Sequence, residues 1–357
     1  MTKILVIQNK RIGDVLISSV IAENIKKVFP QSEITYFVYD YTVGVLEGNP
    51  YIDHIIAVDE KKLKKFSVLL KTVFDIRKSS YDIIFDPYAK FQSRMICLFS
   101  GAEFRIGLKR AHKSLKLPFY THPIDFLEQR SHVCGKAIED KVHMITSVFP
   151  LKEVSYIPQL YLTPEEKKYA KVDHLPRPIV MLGVLGSVPK KSLPKEYIAN
   201  LVNFITANYR ATILFNYAPN QKEAAQAIYE LCDTKENIQL EIYENSIRGF
   251  IKLMNQCDLL VANEGGSVHI TKALSKPTFT IYSPYINKES WCSFEDGTTH
   301  ESIHLLDEKP ELFNSFTQEE TRKIEDNPEF LYRQLMPELI LKKLKPFLDH
   351  HLTSKAR

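Results

Sequence analysis

Three clusters in this 357-residue chain combine residue types and spacing suited to chemistry on an anionic substrate that carries hydroxyl groups. The first is Asp14, which follows the apolar run Ile4–Ile7 and a single glycine, Gly13. A carboxylate at such a strand-to-helix turn faces the crevice. It either caps the helix or takes a proton from an acceptor hydroxyl as a general base. The second cluster is Gly186-Ser187-Val188-Pro189-Lys190-Lys191, after the apolar run Ile179–Leu185. Ser187 and the local N–H groups could hold a phosphate, and a lysine could neutralise a departing diphosphate. The same residues also read as a solvated loop with two surface lysines. The third cluster is Asn263-Glu264-Gly265-Gly266-Ser267, between the strand-like Leu259–Ala262 and helical spacing that resumes at Val268. A glycine turn there presents bare N–H groups at a helix N-terminus, a setting that attracts phosphate. His269 lies one turn inside that helix, and no second histidine stands at metal-ligand spacing. Glu223, early in a helix after Asn216–Asn220, either bonds ribose hydroxyls or is a favourable charge at a helix start.

Alternating strands and helices must position these residues. Ile4–Ile7, Ile34–Val38, Ile55–Val58 and Tyr81–Phe85 read as strands, separated by a helix from Asp14 to about Val28 and a basic amphipathic helix over Lys61–Arg77. A helix around Ser93–Ser100, a short strand at Arg105–Gly107 and a helix from Gly135 to Val148 follow. Composition shifts at Pro150–Pro164, which reads as a linker. A second alternating set then runs from Ile179 to Tyr282. The pattern predicts an α/β fold with two Rossmann-like domains, residues 1–155 and 156–334, and a polar, helical tail from Glu319 to Leu348.

Composition narrows the function classes. Hydrophobic residues make up 44% and charged residues 25%, as in an ordinary soluble globular protein. A net charge of +4 is too mild to point to nucleic acid but suits acidic substrates or a membrane surface. The five cysteines are scattered with no CxxC pair, which supports neither a disulfide framework nor a zinc site and favours a reducing cytoplasm. The N-terminus reads as a first strand rather than a signal peptide, and no apolar run is long enough to span a bilayer. Neither GxGxxG nor GxxxxGK[ST] is present, which argues against a dinucleotide-dependent dehydrogenase and a P-loop enzyme. Basic residues gather at Lys61, Lys62, Lys64 and Lys65 and again at Lys109, Arg110, His112, Lys113 and Lys116. Such runs are either solvated faces or a surface for an acidic acceptor or anionic lipid.

Taken together, the motifs resemble those of glycosyltransferase family 9, the ADP-heptose:lipopolysaccharide heptosyltransferases. KILVIQNKRIGDVLISSVIAENIKKVFP resembles the family's opening, LEGNPYIDHIIAVD its next signature, and FRIGL a later Arg-Ile-Gly. NQCDLLVANEGGSVHITKALSKPTFTIYSP resembles its nucleotide-sugar motif. The likeness runs to about residue 285. It implies a GT-B fold, two Rossmann-like domains facing across a cleft, with the C-terminal helix crossing back so that 335–357 packs on the first domain. It further implies an inverting, metal-independent transferase that needs no cofactor beyond its nucleotide-sugar donor. By this likeness Asp14 is the base and Lys191 contacts the diphosphate. Ser187, Glu223, Glu264, Gly265, Gly266, Ser267 and His269 bind the donor. The acceptor, an acidic lipid-linked saccharide, would meet Lys61, Lys64, Lys109, Arg110 and Lys113. The implied setting is the inner face of a bacterial cytoplasmic membrane, with peripheral attachment to anionic lipid and no nucleic-acid partner. Glu264-Gly265 stands where the family usually has Asp-Ser/Thr, so the carboxylate is one methylene longer and a hydroxyl is lost. That departure leaves open another nucleotide sugar destined for surface polysaccharide, or a homologue that binds without catalysis.

Overall fold

Four apolar residues in a row after Lys3 make β1 (Lys3–Ile7), and all four are buried, as a strand covered on both faces requires. In the computed structural model, which describes residues 1–109, 117–188, 191–314, 319 and 328–353, this strand is the centre of the first of two units. That unit comprises Met1–Tyr161 with Glu289–Ser293. Its other strands are β2 (Glu33–Tyr39), β3 (His54–Val58), β4 (Ile83–Asp86), β5 (Phe104–Leu108) and β6 (His122–Ile124). They form a parallel sheet in the order β3-β2-β1-β4-β5-β6. Among the described residues its α-helices are α1 (Ile12–Ser18), α2 (Val20–Val28), α3 (Glu60–Leu63), α4 (Phe66–Ser79), α5 (Phe91–Phe99) and α6 (Lys136–Thr146). The single helix expected from Asp14 to Val28 is interrupted at Ser19. There Tyr36 donates to the Ser18 carbonyl at 2.7 Å, drawing that oxygen away from the helical ladder.

The second unit holds Leu162–Lys288 and the described residues from Phe294 onward. It repeats the design with β7 (Ile179–Gly183), β8 (Thr212–Asn216), β9 (Ile238–Gln239), β10 (Leu259–Asn263), β11 (Thr278–Ile281) and β12 (His300–Ile303). The order is β12-β11-β10-β7-β8-β9, all parallel. A single turn, α7 (Pro164–Lys167), precedes the sheet, and α8 (Lys195–Asn208), α9 (Lys222–Glu230), α10 (Ile247–Gln256) and α11 (Gly266–Ala273) connect its strands. After the sheet come α12 (Leu305–Glu308), α13 (Glu311–Asn314), α14 (Glu329–Gln334) and α15 (Pro337–His351). In each sheet the winding direction reverses beside the central strand, between β1 and β4 and between β7 and β10. Ligands of doubly wound sheets bind at that switch point, outside the carboxyl ends of the strands.

Two expectations about the units are corrected. The first unit extends to Tyr161 rather than residue 155, because the Tyr156 ring stacks on His132 with centres 4.1 Å apart and the Tyr161 carbonyl lies against Gly48, where a Cβ would come within 3.0 Å of it. The tail expected to pack on the first unit belongs to the second. Helix α15 buries Ile340, Leu344, Phe347 and Leu348 in the second core, the Phe347 ring lies 5.7 Å from that of Phe279, and Tyr209 donates to Asp349 at 2.7 Å. The segment that joins the first unit from late in the chain is Glu289–Ser293, held by an Arg130–Glu289 ion pair at 3.3 Å.

His300 begins β12 and contacts Thr278 Oγ1 on β11 through Nδ1 at 2.9 Å. Burial, with Lys272 nearby, pushes its pKa down to about 4. The unfolded chain therefore binds this proton first, and stability is lost as pH falls from the ordinary histidine range to about 4. Denaturant titrations across that window should show a shallower loss in His300→Gln than in the parent.

Candidate active site

In the second unit the chemistry gathers at the carboxyl ends of β7, β10 and β11. Glu264 follows β10, with its side chain only 8% exposed, and both carboxylate oxygens are engaged. Oε1 accepts from Lys191 Nζ at 2.8 Å, while Oε2 accepts from the Ser283 N–H at 2.9 Å and from Ser283 Oγ at 2.7 Å. Because a carboxylate only accepts, Ser283 Oγ spends its proton there and must receive the hydrogen bond from the Tyr332 hydroxyl, 2.7 Å away. Burial raises the Tyr332 pKa, so the phenol keeps the proton it donates. The chain Tyr332–Ser283–Glu264–Lys191 thus fixes a cationic Nζ at the switch point. The extra methylene of Glu264 serves a carboxylate that spans two loops, one after β7 and one after β11.

The loop carrying Lys191 is closed by its own residues. Gly186 donates its N–H to Ser192 Oγ at 2.9 Å, and Lys191 N–H donates to the Val188 carbonyl at 2.9 Å. A Cβ on Gly186 would lie 2.1 Å from the Lys191 carbonyl oxygen, so only glycine permits this closure. Gly186→Ala should force the loop open and displace Lys191. The expected result is a destabilisation of about 1–3 kcal/mol in thermal unfolding, with weaker nucleotide binding by calorimetry.

Helix α11 starts at Gly266 with Gly265 as a cap that offers no side-chain acceptor. Its first-turn N–H groups have no partner within the helix, and they carry its positive dipole end. A Cβ built on Gly265 meets no protein atom within 4 Å, so this glycine leaves bare backbone open to a ligand. Ser267 and His269 lie in the first turn of the same helix. Asn263, the last residue of β10, has both amide atoms buried without a partner among the described residues. Beside this edge a cavity of about 800 Å³ is lined by Ser187, Val188, Ser192, Gln221, Tyr332 and Arg333, among others. Of the expected donor residues, Lys191, Glu264, Gly265, Gly266, Ser267 and His269 stand on the loops and helix start that follow β7 and β10, and Ser187 lines the cavity. Glu223 instead points outward from the first turn of α9, and Gln221 takes the inward place, donating to the Gly186 carbonyl at 2.8 Å. Gln221, Ser192, Ser283 and Tyr332 were not anticipated. Lys190 lies outside the described residues.

In the first unit Asp14 is buried in the first turn of α1. The cap position belongs to Arg11, so Asp14 is not the cap. Lys10 Nζ donates to Asp14 Oδ1 at 2.6 Å, and among the described residues Oδ2 has no hydrogen-bond partner. The sole tryptophan, Trp291, lies beneath the same lysine with its ring centre 5.7 Å from Nζ. Beside Asp14, at the end of β1, Gln8 Oε1 and Asn9 Oδ1 are buried without partners among the described residues. Across the switch point Asp86 ends β4 fully buried, accepting from Ala89 N–H and Tyr120 OH at 2.8 Å each, and burial raises its pKa. Lys61 and Lys64 follow β3, and Lys109 follows β5, so they share the carboxyl edge with Asp14. Lys64 pairs with Glu60 at 3.1 Å and Lys109 with Asp125 at 2.7 Å. Arg110 and Lys113 lie outside the described residues. Among the described residues, no three His, Cys, Asp or Glu side chains gather into a set that could hold a metal ion.

The first unit therefore offers a buried carboxylate with one free oxygen, and the second unit by itself offers a braced lysine beside an open helix N-terminus. Known proteins resemble the chain as follows. A lipopolysaccharide heptosyltransferase 1 from Campylobacter coli is 24% identical over 288 residues, covering 78% of this chain and 83% of that protein. The crystal structure of a family 9 glycosyl transferase from Veillonella parvula matches with a TM-score of 0.78 at 19% identity, covering 97% of each chain. The E. coli ADP-heptose lipopolysaccharide heptosyltransferase II matches with a TM-score of 0.67 at 18% identity, covering 97% of this chain and 98% of that one. These structures share the GT-B type of α/β fold, with two Rossmann-like units. The model of glycosyltransferase family 9 (heptosyltransferase) matches residues 70–304, and the chain belongs to that family of glycosyltransferases.

Proposed function

We propose that this protein transfers heptose from ADP-heptose to an acidic, lipid-linked saccharide of the lipopolysaccharide-core type, with inversion and without a metal ion. The observation that carries the reading is the Lys191–Glu264–Ser283 clasp beside the uncapped start of α11. A fixed cation and free N–H groups at one switch point are what a departing diphosphate needs. Asp14 takes the proton of the acceptor hydroxyl through Oδ2 while Lys10 holds Oδ1. The acceptor oxygen attacks the anomeric carbon from the face opposite the diphosphate. The bond from that carbon to the diphosphate oxygen breaks, and ADP leaves with its added charge facing Lys191 and the first turn of α11. The names of the Campylobacter coli and E. coli relatives support heptose as the sugar and lipopolysaccharide as the acceptor.

Calorimetry with ADP, UDP and GDP tests the donor side. ADP is expected to bind at least about tenfold more tightly than the others, a difference of about 1.4 kcal/mol. Preference for UDP or GDP would favour the second reading, a different nucleotide sugar. That reading has its own support in Gly265, which lacks the hydroxyl usual in the donor motif.

A further inference from the structure

The late segment Glu289–Ser293 gives the first unit five residues that chain order would place in the second, which holds the chain up to Lys288 and again from Phe294. Arg130 fastens the segment. Its guanidinium pairs with Glu289 at 3.3 Å through Nε and donates to Cys292 Sγ at 2.8 Å through Nη1. Gly135 lets the far end approach, since a Cβ there would lie 3.2 Å from Ser293 Cα. These anchors come from the residues on either side of Trp291, the sole tryptophan of the chain. The half-buried indole is thereby set at the corner that holds Asp14. Lys10 Nζ lies 2.6 Å from Asp14 Oδ1 and 5.7 Å from the indole centre, so the ring centre is at most 8.3 Å from that oxygen, the two distances end to end. An ammonium is attracted to an indole face as well as to a carboxylate, so Lys10 holds ring and base in one arrangement.

The same corner has hydrogen-bonding capacity that the fold leaves unused. Gln8 Oε1 and Asn9 Oδ1, at the end of β1, have no donor among the described residues. Unmet acceptors of this kind suit a ligand rich in hydroxyl groups. A flat apolar ring beside a few polar atoms is the usual lining of a site that orients a small ring-shaped ligand. We propose that Trp291 is the platform for the acceptor sugar that receives the transfer. The C–H face of its pyranose ring lies on the indole, and one hydroxyl is thereby turned toward the free Oδ2 of Asp14. Orientation of this kind lowers the barrier to transfer without adding a reacting group. The platform also selects by shape, because a sugar whose substituents project from that face cannot lie flat on it. The inference rests on the proposed saccharide acceptor and names the side chain that orients it.

The test follows the indole itself. A lipid-free acidic core saccharide is titrated into the full chain, with binding read by calorimetry and by Trp291 emission, and transfer from ADP-heptose is then timed at varied acceptor. The emission should change along the same saturation curve as the heat. Trp291→Ala should raise the acceptor KM at least about tenfold, the scale of a lost tryptophan anchor, while ADP affinity and the donor KM stay parental. Trp291→Phe, which keeps a smaller flat ring, should fall between the two. An unchanged acceptor KM in Trp291→Ala would overturn the inference, and so would saccharide binding that leaves the emission unmoved. Equal losses for saccharide and ADP, with a lowered Tm, would make the tryptophan a structural anchor of its segment and overturn it as well. No saccharide binding by the parent in calorimetry would count against the proposed acceptor and the platform together. Loss of ADP binding alone would count against the donor and leave the platform standing.

Discussion

Asp14→Asn should lower kcat by about 10³-fold, within the range typical for loss of a general base, while ADP binding stays nearly intact. The asparagine amide keeps the shape of the carboxylate but cannot accept the acceptor's proton. The position is buried in the first turn of α1, and only Oδ1 is tied, to Lys10. The substitution therefore removes one ion pair and the one free oxygen with little change in packing. A fall in kcat with an unchanged KM for the donor, measured by ADP release, is the expected pattern. It would mark an interaction made only in the transition state. Wild-type turnover in this variant would show that the base lies elsewhere. Trp291, beside Lys10, gives a fluorescence signal from the same corner, so acceptor binding can be followed in the inactive variant.

Lys191→Ala should weaken ADP binding by about two orders of magnitude, roughly 2–3 kcal/mol for a lost charge-assisted hydrogen bond. The effect has two parts. The diphosphate loses a cation, and Glu264 keeps a largely buried carboxylate with no counterion beside the incoming phosphates. The second part is separable. Glu264→Gln in the Lys191→Ala background should recover some of the lost affinity, because it removes the like charge. Calorimetry on the four proteins of this cycle measures the coupling. Equal ADP affinity in Lys191→Ala and the parent would detach the lysine from the diphosphate.

Both Rossmann-like units were legible in the sequence because their central strands are continuous buried runs, such as Ile4–Ile7 and Leu259–Asn263. The edges were not. β6 is His-Pro-Ile and β12 is His-Glu-Ser-Ile, short edge strands whose polar residues and proline carry no strand pattern. Helix α15 was visible as a helix, but periodicity marks an apolar face without saying which core receives it. Asp14, Lys191 and Glu264 could be found because each lies in the loop or helix start that follows an apolar strand. Ser283 and Tyr332 could not, since Ser283 reaches Glu264 from 19 residues away in sequence and Tyr332 in turn reaches Ser283 from 49 residues away. Gln221 displaced Glu223 as the inward residue because α9 starts at Lys222, which turns Glu223 toward solvent.

The most direct test of the account is a transfer reaction with ADP-heptose and a lipid-linked acidic core saccharide in excess chelator. The product would be identified by mass and its anomeric configuration by NMR. The expected product is the acceptor carrying one added heptose, with configuration inverted relative to the donor. An unchanged acceptor with ADP-heptose, alongside consumption of a UDP- or GDP-linked sugar under the same conditions, would contradict the account.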